Sequence, residues 1–234
     1  MKLPFTVEQF LEVFKNYNQS VYPMQIVFYL LSAIVILLSI KKIANADRII
    51  NVILSFFWLW MGIVYHIFYF AQINKAAYLF GVIFILQGLL FFYQGVLKDK
   101  LSYKFRFDKY GWGGVLLMTF ALIIYPFLGY LFGHFYPTSP TFGLPCPTTI
   151  FTFGILMWFD KKMPLSILII PFIWSIIGFF AALKLGVHED IGLLIAGILG
   201  IIMIALRNKK ITYSLSETSS VRSSFTLVAI LLRK

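Results

Sequence analysis

The chain has 234 residues, of which 60% are apolar, 19% aromatic and only 12% charged. A water-soluble domain carries nearer a quarter charged residues, so a soluble fold is excluded and lipid is the expected solvent for much of the surface. The net charge of +11 comes from basic residues clustered between long apolar runs, a placement that suits anionic lipid and argues against nucleic acid as a partner.

The first residues, Met1 to Glu8, lack the apolar core of a signal peptide. Thr6 with Gln9 forms a capping-box signature. Val7, Phe10, Leu11, Phe14 and Tyr17 then recur at helical spacing, opposed by Glu8, Gln9, Glu12, Lys15 and Asn16. A helix over about 6–17 is too short to span a bilayer and is expected to lie in the interface.

Seven apolar runs follow, at about 23–40, 49–70, 76–97, 112–133, 144–159, 163–184 and 187–206. A crossing takes ~20 residues. The fifth run is short and opens on Pro145 and Pro147, so a re-entrant half-helix is the alternative for it. Charge decides between the two. Seven crossings put sixteen Lys and Arg on one side and four on the other, whereas a re-entrant fifth run gives nine against eleven. The positive-inside rule therefore favours seven spans, amino terminus outside and carboxyl terminus in the cytoplasm. Residues 211–234 are Ser-rich with a short apolar stretch at Phe225–Leu232, and a loosely ordered cytoplasmic tail is expected there. The fold class is an all-α polytopic membrane helix bundle, about seven transmembrane helices plus the interfacial helix, in one domain over 1–210.

Polar and small residues mark faces turned away from lipid. Gln25, Ser32 and Ser39 stripe the first span, and Asn51, Ser55, Trp58, Gly62, Tyr65 and His66 the second. Gly81, Gly88 and Gly95 recur at heptad spacing in the third, with Gln87 and Gln94 beside them. Gly192, Ala196 and Gly200 form a small-residue seam in the last. Helix packing accounts for such stripes; a polar interior built on Asn51, His66, Gln87 and Gln94 is the functional alternative, because a mid-membrane amide needs a partner. Within spans, Pro126 leaves the Leu122 carbonyl without its helical donor and Pro171 leaves that of Ile167. Kinks are expected at both.

The segment from His134 to Thr149 has four prolines and no acid, Lys or Arg. It is expected to fold back over the outer mouth of the bundle. Pro147 suits the first turn of the fifth span, and Thr148 and Thr149 can bond nearby backbone. Cys146 is the sole cysteine, which rules out an internal disulfide and a multi-cysteine metal site. At a helix start it is a candidate reactive thiol, with a buried inert thiol as the plainer alternative. His188, Glu189 and Asp190 open the last span; the acids suit the positive end of its helix without any functional role, and a metal site shared with His134 and Cys146 is the alternative. His134, Cys146 and His188 together are the candidate outer-face site. No metal or cofactor is assigned. No Walker loop, dinucleotide fingerprint, zinc-protease motif or span lysine of a retinal protein is present, and no span is expected to carry a buried acid of the kind that ion-coupled transport uses.

The start Phe5-Thr6-Val7-Glu8-Gln9-Phe10, with Tyr17-Asn18 and Tyr22-Pro23, resembles a bacterial family of multi-pass membrane proteins known only as a domain of unknown function. The run Thr141-Phe142-Gly143-Leu144-Pro145-Cys146-Pro147-Thr148-Thr149 through Gly154 resembles its most distinctive stretch, and Tyr65-His66 is similar to a third. The resemblance covers roughly residues 1–206 and implies a bacterial inner-membrane protein, with no activity, substrate or cofactor attached.

The leading functional expectation is a small permease- or channel-like bundle for a neutral or weakly polar solute. The alternatives are an outer-face thiol- or metal-dependent factor and a structural partner of another membrane protein. Expected partners are the lipid bilayer and, left open, a second copy or another membrane protein.

Overall fold

A computed structural model describes the backbone of residues 4–231 and the side chains of 4–212. Eight helices occur among the described residues: α1 (Val7–Ser20), α2 (Met24–Lys41), α3 (Ala46–Gln72), α4 (Ala77–Leu97), α5 (Lys109–Leu131), α6 (Pro145–Met157), α7 (Ser166–Leu185) and α8 (Ile191–Leu231), the last preceded by a tight turn at His188–Asp190. Six of them, α2 to α5, α7 and the turn with the first part of α8, are long and apolar enough to cross a membrane. Their outward faces carry the large hydrophobics: Ile26, Leu30, Ile34 and Leu37 on α2, and Leu79, Val82, Leu86 and Leu89 on α4, are all exposed. In water such a belt would be untenable; against acyl chains it is the expected surface. The chain is a polytopic membrane helix bundle.

The short run is its centre. α6 has 13 residues, of which every one but Cys146 is buried. At 1.5 Å per residue it is about 20 Å long, against about 30 Å of hydrocarbon. Loops entering from both ends supply the difference. Phe142 and Leu144 are buried ahead of it; after it, Phe159 bridges to Tyr103, and Leu101, Tyr103 and Phe159 are buried together. α6 starts among the residues that close α5, α7 and α1, and ends among those that open α5 and close α4, so it joins the two ends of the bundle. Shielded from lipid, it needs neither full length nor an apolar exterior.

Close approach explains the small-residue stripes. Across α3 and α4, a Cβ on Gly81 would strike the Gly62 carbonyl, one on Gly88 the Ser55 carbonyl, and one on Gly95 the Asn51 side chain. Gly114 of α5 and Gly154 of α6 meet backbone to backbone in the same way. The α8 seam works differently: Gly192 and Gly200 receive the rings of Phe120 and Phe153. Dispersion contact, rather than a polar path, accounts for these faces.

The two prolines behave unlike one another. α7 stays α-helical through Pro171, whereas Pro126 follows a π-helical stretch, Phe120–Ile124, within α5. Both freed carbonyls find side-chain donors. Gln87 Nε2 of α4 donates to the Ile167 carbonyl at 3.0 Å, and the Tyr29 hydroxyl of α2 donates to that of Leu122 at 3.2 Å. A helix–helix bond thus replaces each lost intrahelical one.

At the end opposite α1 the loops are basic. Among residues with described side chains, thirteen Lys and Arg lie there and three, Lys15, Lys75 and Lys184, at the α1 end. Lys42 pairs with Asp47 at 2.7 Å and donates to Ser102 at 2.8 Å, and Arg106 pairs with Asp108 and Asp160 at 3.3 and 3.1 Å. Asp108 caps α5 by accepting from the Tyr110 and Gly111 amides.

The tail departs from expectation. α8 continues as helix to Leu231 in place of loose chain from 211. No Gly or Pro occurs after Gly200, so nothing in the sequence ends the helix. Residues 1–3 and 232–234, with Lys2, Arg233 and Lys234 of the charge tally, lie outside the described residues, as does the side chain of Arg222.

Candidate functional site

α1 begins with the expected capping box: Thr6 Oγ1 accepts from the Gln9 amide, and Gln9 Oε1 accepts from the Thr6 amide. Its apolar face, Phe10, Val13, Phe14 and Tyr17, turns onto the bundle. Phe10 and Phe5 meet the Phe70 ring edge-on at 5.7 and 5.6 Å, and Tyr65 stacks on Phe70 at 5.9 Å. Burial pushes the Tyr17 phenol's pKa up, so its hydroxyl stays protonated. It donates to the Gly143 carbonyl at 3.3 Å and accepts from Trp60 Nε1 at 2.9 Å.

The Pro-rich segment is pinned from below by Asn18. Its Nδ2 donates to the carbonyls of Pro137 and Ser139 at 2.7 and 2.8 Å, and its Oδ1 accepts from Thr141 at 2.7 Å. The segment folds over the α1 end of the bundle, as its composition led one to expect.

Between α1, this segment and the ends of α5, α7 and α8 lies a cavity of about 240 Å³. Its walls are apolar, with Phe5, Phe10, Phe14, Phe70, Phe80 and Leu144 among them. Cys146, Asp190, Tyr125 and Trp174 also line it, as do Asn74 and Lys184. The Tyr125 hydroxyl donates to Asp190 Oδ1, and Cys146 lies close enough to interact with both Asp190 and Trp174. The indole N–H of Trp174 is buried without a hydrogen-bond partner. Beside this group, Glu189 Oε1 meets His134 Nδ1 at 2.9 Å, while Glu189 Oε2 is buried and unpartnered.

Most residues of the expected polar interior are engaged by protein. Asn51 accepts from the Tyr103 hydroxyl at 2.8 Å and donates to the Asp47 carbonyl at 2.7 Å, which anchors the 98–108 loop. Gln87 serves the Ile167 carbonyl, and Gln94 donates to Ser166 at 2.9 Å. His66 is fully buried with neither ring nitrogen bonded, packed among Tyr65, Phe84 and Trp174 at 5.1, 4.6 and 5.1 Å. It sits behind the cavity wall. The four are spread along the bundle rather than gathered at one place.

The expected outer-face group is divided. Pro145, Cys146 and Pro147 line the cavity. Thr148 faces inward and accepts from the Gly143 amide at 3.1 Å, while Thr149 Oγ1 is buried without a partner. His188 is exposed against the Phe132 ring at 5.6 Å and does not join Cys146. Among the described residues no three His, Cys, Asp or Glu are placed to hold a metal ion.

Sequence reasoning does not single out Tyr125 and Trp174 as site residues, and takes Asp190 up only as part of a possible outer-face metal site. Asp190 and its neighbour Glu189 read chiefly as partners of a helix terminus, and no buried acid is expected in a span, yet both are buried at the start of the last one, at 7% and 1% exposure. The physical reason is the Pro-rich segment, whose His134 meets Glu189 and whose Cys146 shares the cavity with Asp190, so the two acids are covered while His188 stays exposed. The available signal is the pairing of two acids with a span start that has no neighbouring cation except Lys184.

The arrangement defines a class: a multi-pass helical membrane protein with a tightly packed interior and a roofed, mainly apolar cavity at its α1 end. Residues 7–215 match the family described as "Family of unknown function (DUF6064)". The chain belongs to that family. No curated protein and no solved structure matches it.

Proposed function

We propose that the protein binds a small, neutral or weakly polar, largely apolar molecule in the cavity beneath α1, in the inner membrane of a bacterium, with α1 on the outer side and the basic end in the cytoplasm. The observation that carries this reading is the cavity itself. Its walls are mainly aromatic and aliphatic, with a few polar groups among them, Asp190, Cys146 and Tyr125, the last bonded to the first. Pockets of that make-up are the usual form of small-molecule sites. Support for the orientation comes from the bias of Lys and Arg toward the opposite end.

A permease reading keeps the cavity as its entry, because Asn51, Gln87 and Gln94 already bond to protein. A thiol-dependent reading keeps Cys146, which faces the same space. Binding is common to both and is the part the geometry favours.

The test uses purified protein in nanodiscs, with thermal stability measured against a panel of small apolar compounds. Ala181, half-buried on the cavity wall, is replaced by Phe to fill the space. A compound that raises the melting temperature of wild type but not of Ala181→Phe supports the site. A panel that shifts both proteins equally, or neither, removes it.

A further inference from the structure

We propose that the open groove between α8 and the loop leading into α7, at the basic end of the bundle, binds one anionic phospholipid, its phosphate held by Lys162 and Lys209 and its acyl chains lying along α7 and α8. This groove is at the opposite end of the bundle from the cavity beneath α1, and its occupancy does not depend on that cavity.

Lys162, Pro164 and Leu165 line one side of the groove, and Ala205, Asn208 and Lys209 the other. Among the described residues that line it are two cations and no carboxylate. Several cations elsewhere at this end are already engaged. Lys42 pairs with Asp47, Arg106 with Asp108 and Asp160, and the ammoniums of Lys98 and Lys109 lie over the rings of Tyr93 and Tyr110. Lys162 and Lys209 are exposed, and neither has an ion-pair partner among the described residues. Two like charges on one groove repel each other, and an anion seated between them turns that repulsion into attraction.

Asn208 sets the two lysines on facing walls. Its Oδ1 accepts from the Met163 amide at 2.9 Å, and its Nδ2 donates to the Met163 carbonyl at 3.0 Å. This two-bond clamp fixes the backbone beside Lys162 against the turn of α8 that carries Lys209. The site is therefore formed before a ligand arrives, and less ordering is needed on binding.

The groove runs on into the lipid-facing surface, which decides for a lipid over a free anion. Leu165 and Ile169, four residues apart, are exposed at the start of α7. On α8, Ile198 and Ile202 are exposed seven and three residues before Ala205. Such spacings share one helix face, and α7 packs on α8, so an apolar track leads away from the lysines. A free phosphate would use the cations alone; a phospholipid uses the cations and the track. Basic pockets between membrane helices are a recurrent form of lipid headgroup site.

The test takes delipidated protein in a neutral detergent and titrates it with phosphatidylglycerol or with phosphatidylcholine of the same acyl chains, counting bound lipid by native mass spectrometry. A Lys at the membrane surface strengthens anionic-lipid binding about fivefold, so two give about twenty-fivefold. Wild type is expected to bind its first phosphatidylglycerol tighter than phosphatidylcholine by about that factor. Lys162→Gln/Lys209→Gln should lose most of the preference. Lys41→Gln/Lys100→Gln, which removes the same charge from exposed positions at the same end, should keep it. A preference that is missing in wild type, that survives in the groove variant, or that falls equally in both variants overturns the site. Displacement of the lipid by inorganic phosphate at matching concentration overturns the lipid assignment, because the tails would then contribute nothing.

Discussion

Replacing Gln87 by Leu isolates the bond that mends the Pro171 break. Gln87 Nε2 donates at 3.0 Å to the Ile167 carbonyl, whose own helical donor is lost at Pro171. A side-chain hydrogen bond inside a membrane protein averages ~0.6 kcal/mol. A buried carbonyl stripped of its last donor costs ~1–3 kcal/mol. Gln87 Oε1 is itself buried and unpartnered, so its removal returns part of that loss, and the net change for Gln87→Leu is small, about 1 kcal/mol. The double-mutant cycle is cleaner. Pro171→Ala gives α7 back an N–H for Ile167, while the Oε1 relief is the same in both backgrounds and cancels. Gln87→Leu is then expected to cost about 1 kcal/mol more in the wild-type background than in the Pro171→Ala background. The assay is reversible unfolding in mixed micelles followed by circular dichroism. Equal costs in the two backgrounds would show that Gln87 is not the substitute donor.

Tyr29→Phe tests the same device at Pro126: a loss of about 0.6–1.5 kcal/mol is expected, measured in the same assay, and it should shrink in Pro126→Ala. Gly95→Ala puts a Cβ into Asn51, which holds Tyr103; overpacking of ~1–3 kcal/mol and loosened proteolytic protection of the 98–108 loop should follow. At Asp108, burial raises the carboxyl pKa, but the Gly111 and Tyr110 amides and the Arg106 guanidinium outweigh it and hold the pKa below its usual 3.8. A depressed carboxylate stabilises fully above that value and loses its contribution as pH falls through the folded pKa. The stability gap between wild type and Asp108→Asn should therefore be constant at neutral pH and narrow only in acid, as melting curves against pH would show.

Both halves of the Gln87 arrangement were legible in the sequence: a proline that orphans the Ile167 carbonyl, and a mid-span amide short of a partner. Their union was not, because 80 residues separate them and no local pattern sets the rotation of α4 against α7. The amphipathic face and cap of α1 were readable because both are local. The fifth run read as ambiguous for a sound reason. Its length depends on loops that enter the bundle at Phe142–Leu144 and Leu101–Tyr103, and only packing reveals their burial. The same holds for Asp190. A helix-start acid and a cavity-lining acid look alike in sequence, and the difference lies in a roof held by Asn18, over a hundred residues away in the chain. The polar stripes showed correctly which faces avoid lipid, and glycine contacts with backbone, side chains and rings explain several of them without a polar pathway.

The most direct measurement of the central claim is the reaction of Cys146 with a small uncharged maleimide in folded, nanodisc-embedded protein. The cavity account predicts steady labelling in wild type and a severalfold slower rate in Ala181→Phe, with both proteins labelling alike once unfolded. A thiol that stays inert until the protein is unfolded, or one that reacts equally fast with the cavity filled, would contradict it.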